Sequence, residues 1–267
     1  MNTTRQVQLH QVKIIKQLIE LFEEESLTYF AIGGTALGAV RHKGFIPWDD
    51  DIDIAMPRND YDRFLKLQGK LPTNLFIQNF STESEYSLYF SKVRDTNTLF
   101  IENRMSTFDI NHGIFIDIFP WDEVSDDLLD QKKLIDNAAR KFRRTLLSKR
   151  KRSSLAKVAK TLFYKAIYGF KSSTELFKDI DNKHRQHNGK GTKIIGHAPF
   201  KDAIHVEDLY PLQQLPFEDI TIACPKNIEK YLTDKYGDYM VIPKKEDQIC
   251  HNPIEVCFDL EERNNHV

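Results

Sequence analysis

The chain is 267 residues long, with 38 Lys and Arg against 39 Asp and Glu, 40% hydrophobic residues and a formal net charge of -1 at pH 7. That balance fits an ordinary globular protein of one or two domains and excludes a globally basic nucleic-acid binder or a disordered, highly charged chain. No stretch approaches the roughly 18 apolar residues of a membrane-spanning helix, the N-terminus MNTTRQVQLHQVKIIKQ lacks the apolar core of a signal peptide, and three cysteines (Cys224, Cys250, Cys257) cannot close a disulfide framework, so a cytoplasmic protein is expected.

Val7, Val12, Ile15, Leu18, Ile19 and Phe22 recur at mostly three- and four-residue steps and predict an amphipathic helix over residues 5–25. TYFAIGG (28–34) reads as a short buried strand running into a glycine turn, with TALGAV a short helix after it. Ile52 and Ile54 alternate with Asp51 and Asp53, which predicts a second strand, and Tyr61, Phe64, Leu65 and Leu67 mark a helix after Pro57. LFIQNF (75–80), YSLYFSKV (86–93) and GIFIDIFPW (113–121) read as three further strands. From about Asp126 to His187 the pattern turns helical, and residues 137–174 hold twelve Lys and Arg and no acidic residue. Beyond His205, LYPLQQLPFEDITIACP predicts a strand pair and KNIEKYLTDKYG a helix ending at Gly237. The expected fold class is α/β (α+β): a mixed-sheet core of residues 1–122 and 205–267, interrupted by a helical, basic insertion at 123–204.

The densest chemical signal is WDDDIDIAMP, where Asp49, Asp50, Asp51 and Asp53 fall within five positions. In an extended segment the two-residue period puts Asp51 and Asp53 on one face, about 6 to 7 Å apart. Paired hard oxygen donors suit Mg²⁺ and phosphate substrates; an acidic turn on a solvated face is the alternative. Asp117 stands inside the apolar run Ile114–Phe119, the pattern of a strand covered on both faces, where an unpaired carboxylate costs roughly several kcal/mol. A metal shared with Asp51 and Asp53 would supply its partner, and a salt bridge to Arg or Lys is the other solution. Gly33 and Gly34 permit close backbone approach to an anion at a helix N-terminus. Lys92 and Arg94 share a strand face and suggest a diphosphate clamp, or else an exposed charged edge. Trp48 and Tyr89 are candidates to stack on a base or cage a quaternary ammonium, or packing residues. Cys250-His251, Cys257 and Cys224 do not have finger or ribbon spacing, so no zinc site is expected.

The order strand, Gly-Gly-Thr, helix, strand with Asp-x-Asp, then a later strand with one Asp resembles the nucleotidyltransferase superfamily. The segment GGTALGAVRHKGFIPWDDDIDIAMPR, from Gly33 to Arg58, resembles the LicD family of phosphocholine transferases, whose relatives include the fukutin-type transferases. KVRDTNT (92–98), GIFIDIFP (113–120), Pro216-Phe-Glu and the stretch from Tyr236 to Pro243 extend the resemblance over most of the chain. It implies a nucleotidyltransferase-like core with Asp51, Asp53 and Asp117 as catalytic, metal-binding carboxylates for Mg²⁺ or Mn²⁺. Gly33, Gly34 and Thr35 then match the nucleotide-phosphate turn, with Arg41, Lys43, Trp48, Lys92 and Arg94 as further substrate-binding candidates. The implied reaction transfers phosphocholine from CDP-choline, or a similar CDP-alcohol, to a lipid-linked or polymeric glycan acceptor of teichoic acid or lipopolysaccharide type, releasing CMP; the alternatives are another nucleotidyl or phospho-alditol transferase on the same fold, or a non-catalytic membrane-associated assembly partner. No nucleic-acid partner is expected. The cations between Arg140 and Arg152 are expected to make peripheral contact with an anionic membrane surface or with an anionic acceptor, a solvated helical face being the alternative.

Overall fold

A computed structural model describes residues 2–125, 127–149 and 171–260 together with positions 159, 163 and 166. Most of the basic run, including Arg150, Lys151 and Arg152, lies outside the described residues.

The first helix, α1 (Thr3–Glu24), starts where the Asn2 side chain accepts the Arg5 N–H at 2.8 Å, and it buries Val7, Val12, Ile15, Leu18 and Phe22 on one face as the periodicity predicts. The same face also buries Gln8 and Gln11, an exception to apolar burial that the site explains. After β1 (Phe30–Ala31) comes α2 (Gly33–Arg41), so the two glycines form the first turn of the helix and not a turn ahead of it. The chain continues through β2 (Asp53–Pro57), α3 (Arg58–Phe64), β3 (Leu75–Gln78), β4 (Ser91–Asp95), β5 (Leu99–Phe100) and the long β6 (Ile114–Glu123). Next come α4 (Leu128–Lys149), α5 (Ser173–His184), β7 (Ile194–His197), β8 (Asp202–His205) and the single turn α6 (Val206–Leu209). The hairpin of β9 (Gln213–Phe217) and β10 (Ile220–Cys224), α7 (Ile228–Tyr236) and β11 (Val256–Cys257) complete it.

The main sheet runs β1-β2-β6-β4-β3, with β6 parallel to β2 and antiparallel to β4. Nine of the ten β6 residues are buried, as a run apolar on both faces requires of a central strand. Because β6 outruns both neighbours, its end at Asp122 and Glu123 is free to pair with β7, which in turn pairs with β8. Residues 194–205 therefore extend the sheet, where the sequence reading had placed helical insertion; the helical part is α4 and α5. Strand β4 begins at Ser91, later than the alternation from Tyr86 suggested, because Tyr86 turns into a second apolar cluster. There it meets Ile135, Ala138, Phe142 and Leu146 of α4 and Leu176 and Ile180 of α5.

Charge joins this helical pair to the sheet. Arg58, at the start of α3, donates to both carboxylate oxygens of Asp122 on β6 (2.8 and 2.5 Å) and to the Tyr89 hydroxyl (2.9 Å). Tyr89 donates to Asp181 of α5 at 2.6 Å, and Arg185 reaches Asp62 at 2.7 and 2.8 Å. Asp122→Ala should leave the Arg58 guanidinium buried without its bidentate partner and lower stability by about 3 kcal/mol or more. Urea unfolding followed by circular dichroism would measure this; a loss below about 1 kcal/mol would mean that Asp62 and Asp181, 3.8 and 3.9 Å from Arg58, take over the charge.

Candidate active site

Strand register assembles the site. In the parallel pair, Asp53 of β2 lies opposite Asp117 of β6, and in the antiparallel pair Lys92 of β4 lies opposite the same Asp117. Side chains in register share a face, so carboxylate, carboxylate and ammonium form one row across three strands. Asp51, two residues before Asp53, comes to the same place: carboxylate oxygens of Asp51, Asp53 and Asp117 all lie within 4.8 Å of one another.

The acidic loop ahead of β2 is fastened by the buried glutamines of α1. Gln8 Nε2 donates to the carbonyls of Asp49 (2.7 Å) and Ile46 (3.2 Å), and Gln11 Nε2 to those of Asp50 (2.9 Å) and Phe115 (3.1 Å). Thr35 Oγ1 accepts the Asp53 N–H at 2.8 Å, tying the start of β2 to the first turn of α2. That turn passes so close that a Cβ at Gly34 would fall 2.5 Å from an Asp49 carboxylate oxygen. Gly33, at φ +55°, would place one 3.3 Å from Asp53 and 3.8 Å from the Tyr236 hydroxyl. The glycines thus let the positive end of a helix dipole stand beside clustered carboxylates. The Gly33 N–H itself is engaged by the Tyr231 hydroxyl at 3.0 Å.

Crowding raises the acids. Burial, followed by the charge of Asp51, pushes Asp49 up to about 9, and burial with Asp51, Asp117 and Asp49 as neighbours holds Asp53 well above the usual carboxylate range. Asp117 is raised only to about 6, since the burial that lifts it is opposed by Lys92. Lys92 Nζ lies 2.8 and 3.1 Å from the two Asp117 oxygens and 3.4 Å from Glu102, over the face of Phe115 at 3.3 Å.

The expected diphosphate clamp is built differently. Lys92 and Arg94 are 1% and 0% exposed, and Arg94 spends its donors on Gln78 (2.6 Å), the Gly113 carbonyl (2.7 Å) and Glu102 (2.7 Å). Strand β4 is an interior strand, and its cations are paired with internal carboxylates. Asp117 accordingly has the salt bridge that the sequence offered as one alternative, and it also joins the carboxylate cluster that was the other.

The structure brings Gly33, Gly34, Thr35, Asp51, Asp53 and Asp117 together. It places Arg41 at the far end of α2, roughly 12 Å along the helix, where it donates to the Tyr239 and Val241 carbonyls (2.6 and 3.4 Å). Lys43 is exposed in the left-handed region (φ +59°), and Trp48 is half-buried, edge-on to His42. Tyr89 stacks on His184 at 3.9 Å in the α5 junction. Sequence reasoning missed Gln8, Gln11 and Glu102, which no local pattern distinguishes from surface residues. It also missed His251, noticed only as a neighbour of Cys250. The His251 Nδ1 lies 2.8 Å from Asp50 Oδ1. Burial would lower this imidazole, yet the hydrogen bond with Asp50 and the charge of Asp51 outweigh it and raise it to about 9.

Residues 26–158 match the family model described as LicD/FKTN/FKRP, nucleotidyltransferase domain. The chain is 29% identical over 265 residues to the lipopolysaccharide cholinephosphotransferase LicD of Haemophilus influenzae, a match covering 94% of this chain and 96% of that protein. Shorter matches join it to uncharacterized proteins of Rickettsia typhi (40% over 55 residues; 21% of this chain, 18% of that protein) and Rickettsia prowazekii (44% over 60 residues; 22% and 21%).

The charge cluster sets a pH dependence. A carboxyl whose folded value is raised holds a proton that the unfolded chain releases near 4, so its stabilising contribution is lost as pH climbs through the folded value: near 6 for Asp117 and near 9 for Asp49. The raised His251 stabilises fully below 6.5 and loses that contribution as pH passes about 9. All these terms have the same sign. In EDTA the melting temperature should fall by several °C between pH 7 and 9.5, at about 2 to 4 °C per kcal/mol, and Asp49→Asn should flatten the decline; a flat wild-type profile would show that the cluster is not strained.

Proposed function

The chain belongs to the LicD family, and from that membership we propose that it is a phosphotransferase that moves phosphocholine from CDP-choline to a sugar hydroxyl of a cell-surface glycan precursor, of lipopolysaccharide or teichoic acid type, releasing CMP. The observation that carries this reading is the convergence of Asp51, Asp53 and Asp117 beside the N-terminus of α2. A non-catalytic binding module has no use for three buried or half-buried carboxylates gathered at such electrostatic cost.

The donor set fits a divalent cation, Mg²⁺ or Mn²⁺. It offers three hard oxygen ligands that repel one another, and Asp117 Oδ1 is a buried oxygen with no hydrogen-bond partner beyond its ion pair with Lys92. When bound there, the cation would neutralise the donor's diphosphate and polarise the phosphorus under attack. The chain's own contribution is positional. The N-terminus of α2 lies beside the acidic cluster, where first-turn amides other than that of Gly33 suit phosphate oxygens. Lys92 and Glu102 fix the Asp117 carboxylate in orientation and charge. The acceptor hydroxyl attacks the phosphorus that carries choline, the P–O bond to the nucleotide phosphate breaks, and CMP leaves with the bonding electrons. Asp117 is the carboxylate proposed to take the hydroxyl proton, since Lys92 opposes the burial that raises it.

A lipid-linked acceptor would lie at a membrane surface. Arg140, Lys141 and Arg143 are exposed on α4 and support peripheral contact with anionic headgroups. Among the described residues, no helix is long and apolar enough to cross a bilayer.

Asp51→Asn or Asp53→Asn should lower kcat for CMP release by about 10³-fold or more while raising the melting temperature of the metal-free protein, because each removes a repelling charge. CDP-choline should raise the melting temperature in Mg²⁺, and free choline far less. Turnover within a few-fold of wild type in the Asn variants would refute the site. Stabilisation and turnover with CTP and a sugar phosphate, and none with CDP-choline, would reassign the reaction to nucleotidyl transfer.

A further inference from the structure

We infer that His251 is a positioning residue for the metal-binding loop: it holds the buried Asp50 carboxylate from the C-terminal segment and thereby sets the adjacent Asp51 in ligand geometry. The inference rests on the reading of Asp51 as a metal ligand and assigns a role to a residue 201 positions away in the sequence.

Asp50 is 4% exposed and sits between two further aspartates in a loop without regular secondary structure. Its backbone carbonyl is taken by Gln11, but its carboxylate depends on His251: Nδ1 at 2.8 Å from Oδ1, and the His251 backbone N–H donating to Oδ1 and Oδ2 at 3.1 and 3.2 Å. A buried carboxylate flanked by like charges is costly unless it is paired, and losing the pairing loosens the loop backbone that Asp50 shares with Asp51. His251 Nδ1 is 3.8 Å from the nearer Asp51 oxygen, too far for a hydrogen bond, so its hold on Asp51 passes through Asp50.

The imidazole is itself well anchored. It stands edge-on to Phe115 (5.8 Å, 90°) and Phe100 (6.3 Å, 77°). The backbone beyond it is tied to the β5 region, with the Ile254 N–H donating to the Ile101 carbonyl (2.8 Å), the Ile101 N–H to the Glu255 carbonyl (2.9 Å), and β11 pairing with β5. The C-terminal segment thus works as a strap with its hydrogen-bonding end on the acidic loop. Residues that orient a metal-binding carboxylate commonly change metal affinity or activity about 10- to 100-fold when removed.

The test is Mn²⁺ binding to the full chain, followed by electron paramagnetic resonance, for wild type, Asp51→Asn, His251→Phe and His251→Asn. His251→Phe keeps a ring against Phe115 and Phe100 but loses the donor, whereas the Asn amide can place a donor near the Nδ1 position. The expected result is about 10- to 100-fold weaker Mn²⁺ binding in His251→Phe, near wild-type binding in His251→Asn, and loss of binding in Asp51→Asn. In the transfer assay at saturating Mn²⁺, His251→Phe should lower kcat with little change in the KM for CDP-choline. Should the Phe variant fail to fold, His251→Gln, whose amide sits near the Nε2 position, takes its place and should behave as Phe does. Undiminished or tighter Mn²⁺ binding in His251→Phe would overturn the inference, since removing a nearby cation without loss of orientation favours the metal. So would a directly coordinated nitrogen coupling in the wild-type spectrum, which would make His251 a ligand. Unchanged binding in Asp51→Asn would instead refute the metal-site reading on which the inference stands, and CDP-choline inert to wild type with intact Mn²⁺ binding would refute the donor alone.

Discussion

A buried carboxylate on the central strand, Asp117, is the constraint around which the rest of this molecule is arranged. Stripping such a group of water costs several kcal/mol unless charge and hydrogen bonds replace the solvent. Lys92 replaces it on one side, held by the neighbouring strand at the register position directly opposite. Lys92 in turn brings Glu102, and Glu102 brings Arg94, so that β4 and the segment after β5 form a closed set of alternating charges beneath the site. On the other side of Asp117 stands Asp53, with the same sign of charge. The compensation is one-sided, and the unbalanced side faces the candidate metal position.

The acidic loop shows the same economy. Asp49, Asp50 and Asp51 repel each other and belong to no helix or strand, so their arrangement has to be imposed from outside. Gln8 and Gln11 of α1 hold the backbone, Thr35 holds the start of β2, and His251 holds the Asp50 side chain. Neutral amide and hydroxyl groups take the carbonyls and the Asp53 N–H, and a titratable partner, His251, meets the Asp50 carboxylate. Such division leaves Asp51 and Asp53 with oxygens to spare, as a ligand set for a hard cation demands.

The helical pair α4 and α5 has an apolar cluster of its own and touches the sheet through a separate charge network centred on Arg58 and Asp122. The candidate site and the helical pair therefore rest on different parts of one strand: Asp117 near the middle of β6, Asp122 close to its end.

Much of this was legible locally. The three- and four-residue rhythm of α1, the apolar run of β6, the alternation that sets Asp51 and Asp53 on one face and the glycine pair beside them depend on neighbours within a turn or two of chain, and a sequence displays such neighbours directly. The tertiary structure alone decided that β2 lies parallel to β6 with Asp53 beside Asp117, and that β4 is interior, so that Lys92 and Arg94 pair with Asp117 and Glu102. It alone decided that residues 194–205 extend the sheet, that Gln8, Gln11 and His251 reach the acidic loop from 39 to 201 positions away, and that Glu102 joins Lys92 beneath it. The reason is physical: periodicity records which face of its own element a side chain occupies, whereas the identity of a charge's partner is set by strand order and register, which are fixed only when the whole core closes.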